Sequence, residues 1–221
     1  MRSILTAVFA TCGLVIAPSA TSGAAPGVCP PICDAIPDSA WIAPTALPLY
    51  AAYHWPGLAG LAVTAHAPQF TFEEVCATPT TLGDARDYAV AAEVTVTNPA
   101  GHWQLRAQIM HWRGDTAHGG PTASRLLEVA RTQLRDCQVS APQASPSVTT
   151  SDPQRLAAVI SVAGQRVIHQ FVLADPASAT VVGLAMWSTL PPVVGWPAVA
   201  DAQVLDAMAA PLCDAYLGSC R

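Results

Sequence analysis

Cysteine and histidine are the residues of this chain whose types and spacing could do chemistry. The 221 residues hold 7 cysteines and 6 histidines. Cys29-Pro30-Pro31-Ile32-Cys33 has three residues between its cysteines, whereas thioredoxin-like redox sites have two, at a helix N-terminus inside a βαβ unit. No further Cys or His stands at the spacing a zinc site needs, so structural disulfides are the expected use. Cys12 lies in an N-terminal apolar stretch, leaving Cys29, Cys33, Cys76, Cys137, Cys213 and Cys220, an even set. The favoured pairing is Cys76 with Cys137. Cys29 and Cys33 could then join Cys213 and Cys220, or the pairs could close locally as Cys29–Cys33 and Cys213–Cys220.

His54, His66, His102, His111, His118 and His169 offer a general base only if a hydroxyl or thiol approaches one of them, with a carboxylate behind. Strand alternation places His102 and His111 on opposite faces, so they do not converge. His169 is expected on the apolar face of a hairpin, as a core histidine or part of a ligand groove with Trp112, Trp187 and Trp196. The His-Glu-x-x-His, Gly-x-Ser-x-Gly and Gly-x-Gly-x-x-Gly strings do not occur. Lys is absent, which excludes a Schiff base, a Ser-Lys dyad and a Walker phosphate loop. Asn98, the one Asn, precedes Pro99 and is no glycosylation acceptor. No catalytic, cofactor or metal residue is assigned.

Residues 1–24 read as a cleavable export signal: Arg2, an apolar run from Ile4 to Ile16, then small residues to Ala24. The run is too short for the roughly 20 residues that span a bilayer, so no transmembrane span is expected. An oxidising compartment outside the cytoplasm follows, secreted or in the cell envelope, and it suits the even cysteine set. Charged residues make up 11% of the chain and the formal net charge is −5, which gives nucleic acid no electrostatic foothold. Such a weakly charged surface suits a lipid, a cell-wall component or an envelope protein. The bias to Ala, Pro, Gly and Arg fits a GC-rich, actinobacterial source.

Residues 25–56 form a Pro-rich arm with at most a helical turn or two. Its Trp41, Leu47, Leu49, Tyr50, Tyr53 and Trp55 imply that it lies on the body. Residues 57–221 read as a single α+β domain without repeats. Short apolar runs at Leu61–Val63 and Phe70–Phe72 suggest one or two strands. Alternation predicts strands from Tyr88 to Thr97 and from His102 to Arg113, joined by Asn98-Pro99-Ala100-Gly101. Gly119-Gly120-Pro121 is expected to break the chain before a helix from Thr122 to Cys137. After a polar stretch, Ser140 to Asp152, strands Arg155–Ala163 and Arg166–Ala174 flank a two-residue Gly164-Gln165 turn. That register opposes Ile160 to His169 and Ala158 to Phe171, with Leu156, Ile160, Val162, Val167, Phe171 and Leu173 sharing a face. A strand from Thr180 to Ser188 and a helix from Val199 to Tyr216 complete the order; helical spacing puts Leu127, Ala130, Leu134 and Cys137 on the inward face of the first helix and Leu205, Met208, Leu212 and Tyr216 on one stripe of the last. The expected architecture is an antiparallel sheet of about five strands or more, packed by two main helices and stapled by disulfides.

From Phe70 to Cys220, the strand pair, the helix closing on Cys137, the three-stranded meander and the C-terminal helix resemble a known plan. It is that of the extracellular sensor domain of mycobacterial receptor serine/threonine kinases and related secreted actinobacterial proteins. The resemblance rests on element order and cysteine placement. It implies a disulfide-stapled, non-catalytic, ligand-binding module, and it transfers no binding residue. The Cys29–Cys33 arm and the lack of a kinase or membrane-spanning segment depart from that family. An exported, non-enzymatic module that binds a small or apolar ligand or a protein partner is the leading expectation. A secreted hydrolase with a His general base is the alternative.

Overall fold

The computed structural model describes residues 34–78, 83–216 and 219. Residues 1–24, read above as an export signal, and Cys29, Cys33 and Cys220 lie outside those residues. Seven strands form one antiparallel sheet: β1 (Val63–Ala65), β2 (Val90–Val96), β3 (Gln104–His111), β4 (Ala144–Ser151), β5 (Arg155–Val162), β6 (Arg166–Asp175) and β7 (Thr180–Thr189). Their spatial order is β1-β2-β3-β7-β6-β5-β4. Helices α1 (Tyr50–Tyr53), α2 (Thr71–Val75), α3 (Thr116–Ser140) and α4 (Asp201–Ala215) cover it, with single 3-10 turns between. Among the described residues no helix is long and apolar enough to cross a membrane.

The sheet is covered on both faces, so there are two cores. On one face the arm (Trp41, Leu47, Leu49, Trp55) and α4 (Leu205, Met208, Leu212) pack on Val94, Trp103, Leu105, Ile109, Phe171 and Leu184. On the other, Phe70 and Phe72 of the α2 segment and Leu127, Ala130 and Leu134 of α3 pack on Met110, Leu156, Ile160, Ile168 and Val172. β7 is buried along nearly its whole length because both of its faces are covered. The i, i+3, i+4 stripes expected of α3 and α4 are the buried ones.

Four local expectations are corrected. Gly119-Gly120-Pro121 lies inside α3, which starts at Thr116 with the Asp115 carboxylate accepting from the Ala117 N–H at 2.7 Å. The glycines permit close approach: a Cβ on Gly119 would stand 2.5 Å from the Ala179 Cβ, and one on Gly120 would stand 2.5 Å from the Pro176 carbonyl oxygen. The polar stretch after Ser140 contains strand β4. It is an edge strand, so it needs no second apolar face, and it tolerates Pro146 opposite Ile160 and an irregularity between Val148 and Thr150.

The β5–β6 loop has three residues, not two. Ala163 and Gly164 take positive φ of 51° and 66°, and the register moves by one. Val159 faces His169, Ile160 faces Ile168, Ala157 faces Phe171 and Ala158 faces Gln170. Leu156 and Ile160 therefore point to the α3 side, and Phe171 and Leu173 to the α4 side. Finally, Phe70-Thr71-Phe72 is not a strand but the start of α2. The Glu73 carboxylate accepts from the Phe70 N–H at 2.7 Å, which fixes that helix start.

Candidate functional site

On the α4 side, Trp103 just before β3, His169 of β6 and Trp196 of the loop after β7 assemble an aromatic stack. The Trp196 and His169 rings stack at 3.7 Å between centroids and 7° between planes. Trp103 sits 5.0 Å from Trp196 and 5.6 Å from His169. The Trp103 indole N–H donates to the Val194 carbonyl at 2.7 Å, which ties the loop to the sheet. The Trp103 backbone N–H donates to the Tyr53 hydroxyl at 3.1 Å, which ties the arm to the same place. Burial pushes the His169 imidazole down to about 4, with the Asp201 carboxylate opposing that shift. It is therefore neutral near pH 7 and behaves as a flat, mostly apolar ring.

Of the four groove candidates, His169 and Trp196 come together here and the other two do not join them. Trp112 and Trp187 lie on the α3 side, at opposite ends of the β3–β7 pairing. The Trp112 indole N–H is spent on the Ala85 carbonyl at 2.9 Å. Trp103 completes the stack; its place in the alternation of β3 was the signal, but the partner loop was not legible.

Cys76 and Cys137 are bonded across a sequence separation of 61, joining the end of α2 to α3, and both are fully buried. This is the pairing the sequence favoured. Cys213, exposed on α4, is also disulfide-bonded, to a cysteine outside the described residues. The choice among Cys29, Cys33 and Cys220 therefore stays open.

Two histidines stand beside a hydroxyl, His102 with its Nδ1 3.5 Å from that of Tyr53 and His111 next to that of Thr180. His111 Nδ1 lies 3.1 Å from the Thr180 hydroxyl, which donates to the Ser178 carbonyl, so Nδ1 carries the proton and Nε2 is left as a buried acceptor without a partner. His111 is 4% exposed, and burial holds its pKa below the usual value, with the Arg113 charge adding to the effect. Ser178 and Ser219 both donate to Asp175 Oδ2 at 2.5 Å rather than to a histidine. His102 contacts the Tyr53 ring edge-on and His118 lies beside Asp115. Among the described residues no group of three His, Cys, Asp or Glu could hold a metal ion.

Open space lies instead along the outer face of α3. A cleft of about 740 Å³ runs between Ser124, Arg125, Glu128 and Arg131 of α3 and the Ser151–Pro153 turn. A second, of about 290 Å³, shares Arg125 and Glu128 and continues past Val129 to Thr132 and Gln133. A third, of about 390 Å³, shares Thr132 and Gln133 and reaches Asp136, Val139, Ser140 and Thr78. Together they form one shallow groove of mixed charge. Arg131 is fixed there by Glu128 and the Asp152 carbonyl. Val129 and Val139 stand in it 42% and 87% exposed. No family model matches the chain, and no curated protein matches it either.

Proposed function

We propose that this chain is an exported, non-enzymatic module of the cell envelope or extracellular space that engages a protein partner along the outer face of α3. One contrast carries the reading: side chains fill the interior on both faces of the sheet, while three of the four described clefts run open along one helix, and the fourth, between the arm at Asp34–Trp41 and β2, holds only about 190 Å³. Recognition of a small apolar ligand asks for an enclosed, largely apolar pocket of roughly 300 Å³ or more with a few converging polar groups. An open groove of mixed polarity with exposed valines suits a protein surface better. The export signal read in residues 1–24 and the buried Cys76–Cys137 bond support a compartment outside the cytoplasm. The resemblance in plan to the sensor domains of receptor kinases supports a non-catalytic role.

The test places a photo-crosslinking residue at Val129 or Val139, with Val148 on β4 as control, in the chain secreted by an actinobacterial host. Adducts and co-purifying lipids and glycans are then read by mass spectrometry. Protein adducts from the α3 positions but not from position 148 are expected. A lipid or cell-wall fragment co-purifying, with no protein adduct from α3, would replace this reading with a ligand carrier.

A further inference from the structure

Arg106 and Gln108 alternate along β3 onto the face that α2 covers. The Arg106 guanidinium meets Glu74 of α2 at 2.5 Å. On the same face, the Phe72 N–H reaches the Gln170 amide oxygen at 3.4 Å. Gly183, opposite Gln108 on β7, makes room at the centre: a Cβ there would stand 3.0 Å from both the Gln108 Cγ and the Phe70 ring. Gln108 is thus held directly beneath the start of α2.

Gln108 is 2% exposed, yet neither its amide nitrogen nor its amide oxygen has a hydrogen-bond partner within the protein. The same holds for Arg106 Nε and for the Thr71 hydroxyl, which is 6% exposed at the first position of α2. A methionine or leucine would fill the volume of Gln108 without that loss, and buried polar groups in native proteins are almost always bonded to protein or ordered water. We propose that the space between α2 and β3 holds at least one bound water molecule, bonded to the Gln108 amide and drawing its further partners from Thr71 Oγ1 and Arg106 Nε.

The chemistry of these groups selects water over an ion. They offer donors and acceptors together, which suits a neutral molecule that both donates and accepts. The charges alongside are already matched, Arg106 with Glu74 and Arg86 with Glu73, so an ion would bring an uncompensated charge. None of the described clefts is lined by Gln108, Arg106 or Thr71. The segment above is pinned at both ends, by Glu73 on the Phe70 N–H and by Cys76 in its disulfide. Exchange of the water requires that segment to lift, which implies a long residence.

The test is water-to-protein NOE spectroscopy on the isotope-labelled chain from residue 25 onward, with disulfides formed. Cross-peaks from water to the Gln108 side-chain NH₂ are expected, with the sign of a molecule bound for longer than the protein tumbles, and at the Thr71 amide as well. Gln108→Met, with unchanged circular dichroism and an intact Cys76–Cys137 bond, should remove the Thr71 cross-peak. Absence of the Gln108 cross-peak in the folded wild type overturns the proposal, and so does a Thr71 cross-peak that survives Gln108→Met unchanged. If that variant does not fold, the wild-type spectrum decides alone.

Discussion

Gly119→Ala sets two physical effects against each other. Replacing a helix-interior glycine by alanine gains about 1 kcal/mol from propensity. At Gly119, however, the new Cβ would stand 2.5 Å from the Ala179 Cβ and 3.3 Å from the Trp112 Cβ. Ordinary carbon contacts begin near ~3.5 Å. Neither neighbour can step back freely, because the Trp112 N–H donates to the Ala179 carbonyl at 3.0 Å and the Ala179 N–H points to Pro176. Overpacking of this kind costs about 1–3 kcal/mol. With an overlap near the full ångström the upper end applies, so the net loss is about 2 kcal/mol, or a Tm lower by about 6 °C for a chain of this size. Ala179 itself has φ 52°, a backbone conformation that glycine adopts without strain. Ala179→Gly should be close to neutral, since about 1 kcal/mol of relieved strain offsets about 1 kcal/mol of lost methyl burial. The double variant should recover most of the loss, giving a coupling of about 1–2 kcal/mol in a double-mutant cycle by urea denaturation. If Gly119→Ala raises stability, or if the two changes simply add, the close-approach account of these glycines is wrong.

Removing the Cys76–Cys137 bond with paired alanines should cost about 4 kcal/mol by the chain-entropy estimate for its loop, about 10 °C in Tm, and calorimetry showing no change would refute the staple's role. Glu73→Ala takes one of two carboxylates from the buried Arg86, which keeps Asp84 at 2.6 Å, and also removes the acceptor of the Phe70 N–H; it should cost about 2 kcal/mol, whereas Glu74→Ala breaks a half-exposed pair and should cost less than about 1 kcal/mol, and equal losses in urea would contradict the burial argument. His169 should titrate by NMR near 4 rather than near 6.5. Its pKa is depressed on folding, so the unfolded chain binds the proton first and stability falls as the pH drops from about 6.5 to about 4, then levels. Trp196→Ala, by opening the stack, should move that midpoint upward; an unchanged midpoint would mean that the stack does not desolvate the ring.

Local pattern was enough for the elements that bury one face. The alternation of β2 and β3 and the stripes of α3 and α4 made the α+β class legible, and the helix phase brought Cys137 inward to meet Cys76. The misreadings arose where meaning depends on a distant residue. Gly119 and Gly120 look like a break until Ala179 and Pro176 are brought alongside. β4 looks like a loop because an edge strand with one neighbour can stay polar. In the β5–β6 hairpin one extra loop residue reversed which face each side chain serves, an error that alternation cannot expose because both faces are apolar. The site divided the same way. His169 and Trp196 are 27 residues apart and meet only because the Trp103 indole holds the intervening loop at Val194. Val129 and Val139 lie off the buried stripe of α3, and that misplacement was the one sequence signal for an outer surface.

The two cores differ in the stretch of chain each requires. The core under α3 draws on residues from Phe70 to Val181, while the core under α4 needs Ala40 at one extreme and Tyr216 at the other. The turn Asp38–Ala40 packs on α4 itself, so nearly the first described residues meet nearly the last. As the chain is made from its N-terminus, the side that carries the Cys76–Cys137 bond has all its parts while the other still lacks its cover. During that interval Trp41, Leu47 and Trp55 have a sheet to rest on but no helix to close over them, the kind of transient apolar surface that invites aggregation. Completion then falls to the last helix, and the Cys213 bond can be made only once that helix has arrived.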